Sequence, residues 1–130
     1  MDKKKILVVD DENDVLLMLE KRLTAEGYSV ITATNGTDAL VLAKSKTPDL
    51  IILDIVLPDM EGGQVAGRLK ATPETRNIPV IFLTALLSKT EEGKHSPMIG
   101  GNIIFAKPFD TGKLLEQIKR LMPKEETVIY

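Results

Sequence analysis

Short apolar runs alternate with segments of helical period along this chain, and the alternation repeats five times. The runs at 6–9, 50–53, 80–83 and 103–105 are nearly continuous in Ile, Val, Leu and Phe. Their length and β-branching predict strands covered on both faces, as in a parallel sheet. Tyr28-Ser29-Val30-Ile31-Thr32 is more mixed, which is the pattern of an edge strand. Between the runs, Leu16, Leu19 and Leu23 stripe a first helix that stops at Gly27. Ala39, Leu40 and Ala43 mark a second helix ended by Thr47-Pro48, and Val65 with Leu69 marks a short third. Leu114, Leu115, Ile118 and Leu121 mark the last, with Asp110 as its N-cap and Pro123 as its stop.

This (βα)5 alternation predicts an α/β fold with helices on both faces of a five-stranded parallel sheet. The common flavodoxin-like, doubly wound order for five strands is 2-1-3-4-5, which puts a topological switch between the first and third strands. Ligands of such sheets bind at the carboxyl ends of the strands beside the switch. One segment fits the alternation badly. Residues 86–101 should hold a helix, yet they carry Gly93, Pro97 and Gly100-Gly101. Relative to Ala, proline inside a helix costs about 3 kcal/mol and glycine about 1 kcal/mol. A short, broken or mobile helix is expected there.

Composition narrows the function. The chain has 130 residues, the length of one domain: residues 1–123 form it, and 124–130 read as a frayed tail. Without Cys, zinc fingers, iron–sulfur ligation, thiol catalysis and disulfide frameworks are excluded. A net charge of −2 argues against direct nucleic-acid binding through a basic face. No apolar run has the roughly 18–20 residues of a membrane span, nor does the N-terminus carry an export signal. The expected location is the cytoplasm, with no membrane partner. The single His, His95, reads as a solvated loop residue, and neither a dinucleotide fingerprint nor a P-loop occurs.

The strand ends carry the chemistry. Asp10 and Asp11 follow the first run directly, and Asp54 follows the third. Taken singly, Asp11 could cap a helix and Asp54 could end a strand. Three carboxylates at one switch point repel one another unless a cation sits among them. Mg²⁺ answers that need, because it takes hard oxygen ligands, commonly one or two carboxylates with waters and a phosphate oxygen. Thr84 follows the fourth strand run directly, and Lys107, with Pro108 behind it, follows the fifth after Ala106. A hydroxyl, an ammonium and a divalent cation around a carboxylate suit a phosphoryl group. Its transfer depends mainly on positioning and charge neutralisation.

Val8-Val9-Asp10-Asp11-Glu12, Leu53-Asp54 with Pro58 and Gly62 beyond it, Thr84-Ala85 and Lys107-Pro108-Phe109 together resemble the receiver domain of bacterial response regulators. The resemblance spans nearly the whole chain, with its motifs in order at the strand ends. It implies that Asp54 accepts a phosphoryl group from a phosphohistidine on a sensor histidine kinase or a histidine phosphotransfer protein. It further implies that Asp11, Asp54 and the Val56 carbonyl ligate Mg²⁺, with Asp10 acting through water, and that Thr84 and Lys107 contact the phosphoryl oxygens. Slow hydrolysis of its own aspartyl phosphate and relay to a downstream output protein are implied as well. An Asp-x-Asp phosphohydrolase, the other carboxylate-and-Mg²⁺ class, is not supported, because that motif is missing after the first strand. The alternative reading is a pseudo-receiver or docking module that keeps the fold and signals without phosphate. The chain departs from the family at 86–101 and at Ile104, where the family usually has Tyr or Phe. Strand alternation puts Phe105 on the opposite face from Ile104.

Overall fold

The computed structural model describes residues 3–85, 98–99 and 102–122. Its parallel strands are β1 (Lys5–Val9), β2 (Ser29–Ala33), β3 (Leu50–Asp54), β4 (Val80–Thr84) and β6 (Asn102–Ala106), and they lie in the order 2-1-3-4-6. This is the expected 2-1-3-4-5 arrangement, with β6 as the fifth parallel strand. A two-residue strand, β5 (Met98–Ile99), pairs antiparallel with β6 at the sheet edge and was not anticipated. The helices among the described residues are α1 (Asn13–Ala25), α2 (Gly36–Lys46), α3 (Gly62–Ala71) and α4 (Thr111–Leu121). The broken helix expected at 86–101, with His95, lies outside the described residues apart from β5. The tail at 124–130 also lies outside them.

The period of two along each strand divides the interior into two layers. Ile6, Val8, Leu50, Ile52, Ile81 and Leu83 pack on one face with Leu16, Leu19 and Leu23 of α1 and Leu114, Leu115 and Ile118 of α4. On the other face, Leu7, Val9, Ile51, Leu53, Val80 and Phe82 pack with Ala39 and Ala43 of α2 and Val65, Ala66 and Leu69 of α3. All five residues of β3 are buried, as a central strand covered on both sides requires. Each such Leu or Ile contributes about 1.5–3 kcal/mol relative to leaving it exposed. Ile104 is buried in the second layer and Phe105 packs against the first, as alternation predicts. At the edge, β2 is only half-buried over most of its length.

The helix ends follow the local sequence. Asp110 accepts a hydrogen bond from the Lys113 N–H at 3.1 Å and so caps α4. Asn35 caps α2 in the same way through the Asp38 N–H, at 2.8 Å. The chain leaves α1 through Gly27, whose positive φ of 97° explains why glycine stands there. No helix among the described residues is long and apolar enough to cross a membrane.

Candidate functional site

The strand register brings the carboxyl ends of β1 and β3 side by side, with Val9 paired to Leu53. The next residues, Asp10 and Asp54, are therefore neighbours, and both are buried. From the far side, β6 delivers Lys107, whose backbone N–H donates to the Thr84 carbonyl at 2.8 Å. The Lys107–Pro108 peptide is cis. The Lys107 Nζ lies 2.7 Å from Asp10 Oδ2, 3.0 Å from Asp54 Oδ2 and 3.0 Å from Glu12 Oε1. One ammonium thus bridges three carboxylates.

The surrounding backbone fixes these groups. Asp10 Oδ1 accepts from the Glu12 N–H at 2.9 Å, and Asp54 Oδ1 accepts from the Val56 N–H at 3.1 Å. Burial pushes the Asp10 carboxyl above the ordinary aspartate range. Hydrogen bonds from Lys107 and the Glu12 backbone offset part of that rise, while the Asp54 charge adds to it. For Lys107, burial acts to lower the pKa, but hydrogen bonds to Asp10, Glu12 and Asp54 outweigh it and hold the ammonium above the ordinary lysine value. The site therefore stabilises positive charge strongly.

Carboxylate oxygens of Asp10, Glu12 and Asp54 all lie within 4.8 Å of one another. Three carboxylates at this spacing form a donor set for a hard divalent cation, and the ammonium marks where the cluster places positive charge. Of the residues singled out in the sequence, the structure brings Asp10, Asp54 and Lys107 together. Thr84 is buried at the end of β4, which neighbours β3. Val56 is exposed on the loop after β3. Asp11 is also exposed and stands outside the converging trio, where Glu12 takes the third place. Sequence reading did not assign Glu12. The only signal was its position directly after Asp10-Asp11.

A second residue was missed. The carboxylate of Asp59, in the loop between β3 and α3, accepts from the Gly36 N–H at 2.7 Å, the Thr37 N–H at 2.8 Å and the Thr37 hydroxyl at 2.7 Å. These bonds, led by that of the Thr37 hydroxyl, lower its pKa to about 2.

Known proteins resemble this chain in sequence and in fold. A family model described as the response regulator receiver domain matches residues 6–119. The chain is 36% identical over 125 residues to sporulation initiation phosphotransferase F of Bacillus subtilis, covering 95% of this chain and 97% of that protein. It is 40% identical over 119 residues to response regulator PleD of Caulobacter vibrioides, covering 90% of this chain but only 26% of PleD. The solved structure of chemotaxis response regulator CheY4 of Vibrio cholerae matches with a TM-score of 0.79 and 31% identity, over 93% of this chain and 100% of that one.

Proposed function

The chain belongs to the response regulator receiver domain family, and from that premise we propose that it is a phosphoacceptor switch acting through Asp54. The observation that carries this reading is the Asp54 carboxylate, buried at the end of β3 and in contact with Lys107 Nζ at 3.0 Å. In the proposed reaction a carboxylate oxygen of Asp54 attacks the phosphorus of a phosphohistidine. An acyl phosphate P–O bond forms, the P–N bond breaks, and its electron pair returns to the imidazole of the donor. The donor is a sensor histidine kinase or a histidine phosphotransfer protein. The signal passes to a downstream output protein, and the setting is cytoplasmic.

The residues divide the work. The Val56 N–H holds one oxygen of Asp54 and Lys107 the other, so the carboxylate plane is set before the donor arrives. Such positioning is a large part of what phosphoryl transfer requires. Lys107 then neutralises charge on the transferred group as a point charge, and the Thr84 hydroxyl donates to another of its oxygens. Asp10, Asp11, Asp54 and the Val56 carbonyl would hold Mg²⁺, which when bound screens the carboxylates and the incoming phosphoryl oxygens from one another. Glu12 holds Lys107 from the solvent side, at 3.0 Å. Water attack on the acyl phosphate reverses the modification slowly.

Incubation with Mg²⁺ and a small phosphodonor, followed by intact mass, tests the reading. A gain of one phosphoryl group that is lost in Asp54→Asn is the expected result. Mass unchanged in the native chain would favour a docking module that signals without phosphate.

A further inference from the structure

We propose that Asp59 is a positioning residue for the phosphorylation site, latching the loop that carries Val56 onto the N-terminus of α2. The inference rests on the phosphoacceptor reading above and adds to it a residue that does not touch the reacting atoms. The loop from Ile55 to Glu61 leaves β3 directly behind Asp54. At its base it is closed tightly: the Gly62 N–H donates to the Ile55 carbonyl at 2.7 Å, and Val56 pairs with Glu61 as an isolated bridge. A Cβ at Gly62 would lie 2.6 Å from the Asp54 carbonyl oxygen, so the returning chain is pressed against the backbone of the phosphoacceptor itself.

The tip of the loop has a separate anchor. Asp59 is exposed, yet its two carboxylate oxygens take three hydrogen bonds from Gly36 and Thr37, residues more than twenty positions earlier. Two of these donors are backbone N–H groups at the start of α2, which lack partners within the helix. Asn35 already serves as the local cap through Asp38. Asp59 is therefore a second cap, supplied from the neighbouring loop. Met60 adds an apolar contact, since its side chain lies where a Cβ of Gly36 would be. Held at base and tip, the loop presents the Val56 N–H to Asp54 Oδ1 and fixes where the Val56 carbonyl lies. A partner that sets the geometry of a metal ligand without touching the metal ordinarily changes affinity by about 10–100-fold when removed.

Three measurements on the full chain test the latch: amide exchange in the metal-free protein, Mg²⁺ titration, and the rate of labelling by a small phosphodonor. In Asp59→Ala the amides of Gly36 and Thr37 should exchange faster, and those of Val56 and Gly62 should follow. Mg²⁺ affinity should fall roughly tenfold, and labelling at subsaturating Mg²⁺ should slow in proportion. Asp59→Asn, which keeps one acceptor oxygen, should recover part of the affinity. Ile118→Val, destabilised in the opposite core layer, should leave the Mg²⁺ affinity unchanged. Faster exchange confined to Gly36 and Thr37, with unaltered Mg²⁺ affinity, would reduce Asp59 to an ordinary helix cap and overturn the proposal. A native chain that neither binds Mg²⁺ nor takes label would instead overturn the phosphoacceptor reading, and this inference with it.

Discussion

Lys107 Nζ and Asp10 Oδ2 lie 2.7 Å apart, with the Asp10 side chain fully buried and that of Lys107 12% exposed. Each is the other's main compensation for burial, and Asp54 shares the same ammonium at 3.0 Å. Removing one partner from such a cluster leaves an uncompensated charge, which costs on the order of 3 kcal/mol. Lys107→Met should therefore destabilise the metal-free protein by about that amount in urea unfolding. Millimolar Mg²⁺ should recover part of the loss. A stability equal to that of the native chain would mean that the carboxylates do not depend on Lys107.

Asp11 and Glu12 are exposed neighbours whose loss should affect metal binding differently. Asp11 follows Asp10, and Glu12 is the residue whose side chain reaches Lys107. If Asp11 is a ligand, Asp11→Ala should lose the Mg²⁺-dependent rise in melting temperature. In the native chain that rise corresponds to about 1.4 kcal/mol at ten times Kd. Persistence of the full rise in Asp11→Ala, with its loss in Glu12→Ala, would move the ligand role to Glu12.

Adjacent glycines at the start of α3 should respond in opposite ways. A Cβ at Gly62 would meet the Asp54 carbonyl oxygen and Ile55 Cα at 2.6 and 2.8 Å, backbone atoms that cannot turn aside. Gly62→Ala should cost about 1–3 kcal/mol through overpacking and disturb Asp54. At Gly63 nothing lies within 4 Å of the same atom. Gly63→Ala should stabilise the helix by up to about 1 kcal/mol. Thermal unfolding of the two variants checks the contrast.

Asp59 supplies a pH test. Its folded-state pKa is lowered from 3.8 to about 2 by the Thr37 hydroxyl and the Gly36 and Thr37 N–H groups. A depressed carboxylate pKa stabilises the fold above the unfolded value and loses that contribution as pH falls toward the folded value. The stability difference between the native chain and Asp59→Asn should therefore be constant above about pH 5 and shrink between about pH 4 and 2. A difference independent of pH over that range would show that the carboxylate charge is not what the helix end recognises.

The parts legible in the sequence were those that local pattern determines. Apolar runs of strand length gave β1, β3, β4 and β6, and the positions one or two residues beyond them gave Asp10, Asp54, Thr84 and Lys107 their places at the strand ends. Alternation along β6 put Ile104 and Phe105 in different layers. The parts that stayed hidden depend on contacts between distant segments. Met98-Ile99 is too short to show a period, so β5 had no signature. Glu12 gains its role from Lys107, which is 95 residues away in sequence. Asp59 stands in an ordinary Pro-Asp turn, and only the folded chain brings it to the start of α2. Asp11 and Glu12 differ in side-chain reach toward Lys107, and adjacency in sequence does not decide between them.

The most direct test of the central claim is to locate the phosphoryl group after transfer from a phosphohistidine donor. The native chain would be incubated with Mg²⁺ and the phosphorylated donor, then digested and mapped by tandem mass spectrometry. The account predicts a single modified residue, Asp54, with the label absent from a parallel reaction of Asp54→Asn. A label on another residue, or none on the native chain under conditions where the donor phosphorylates a known receiver domain, would contradict it.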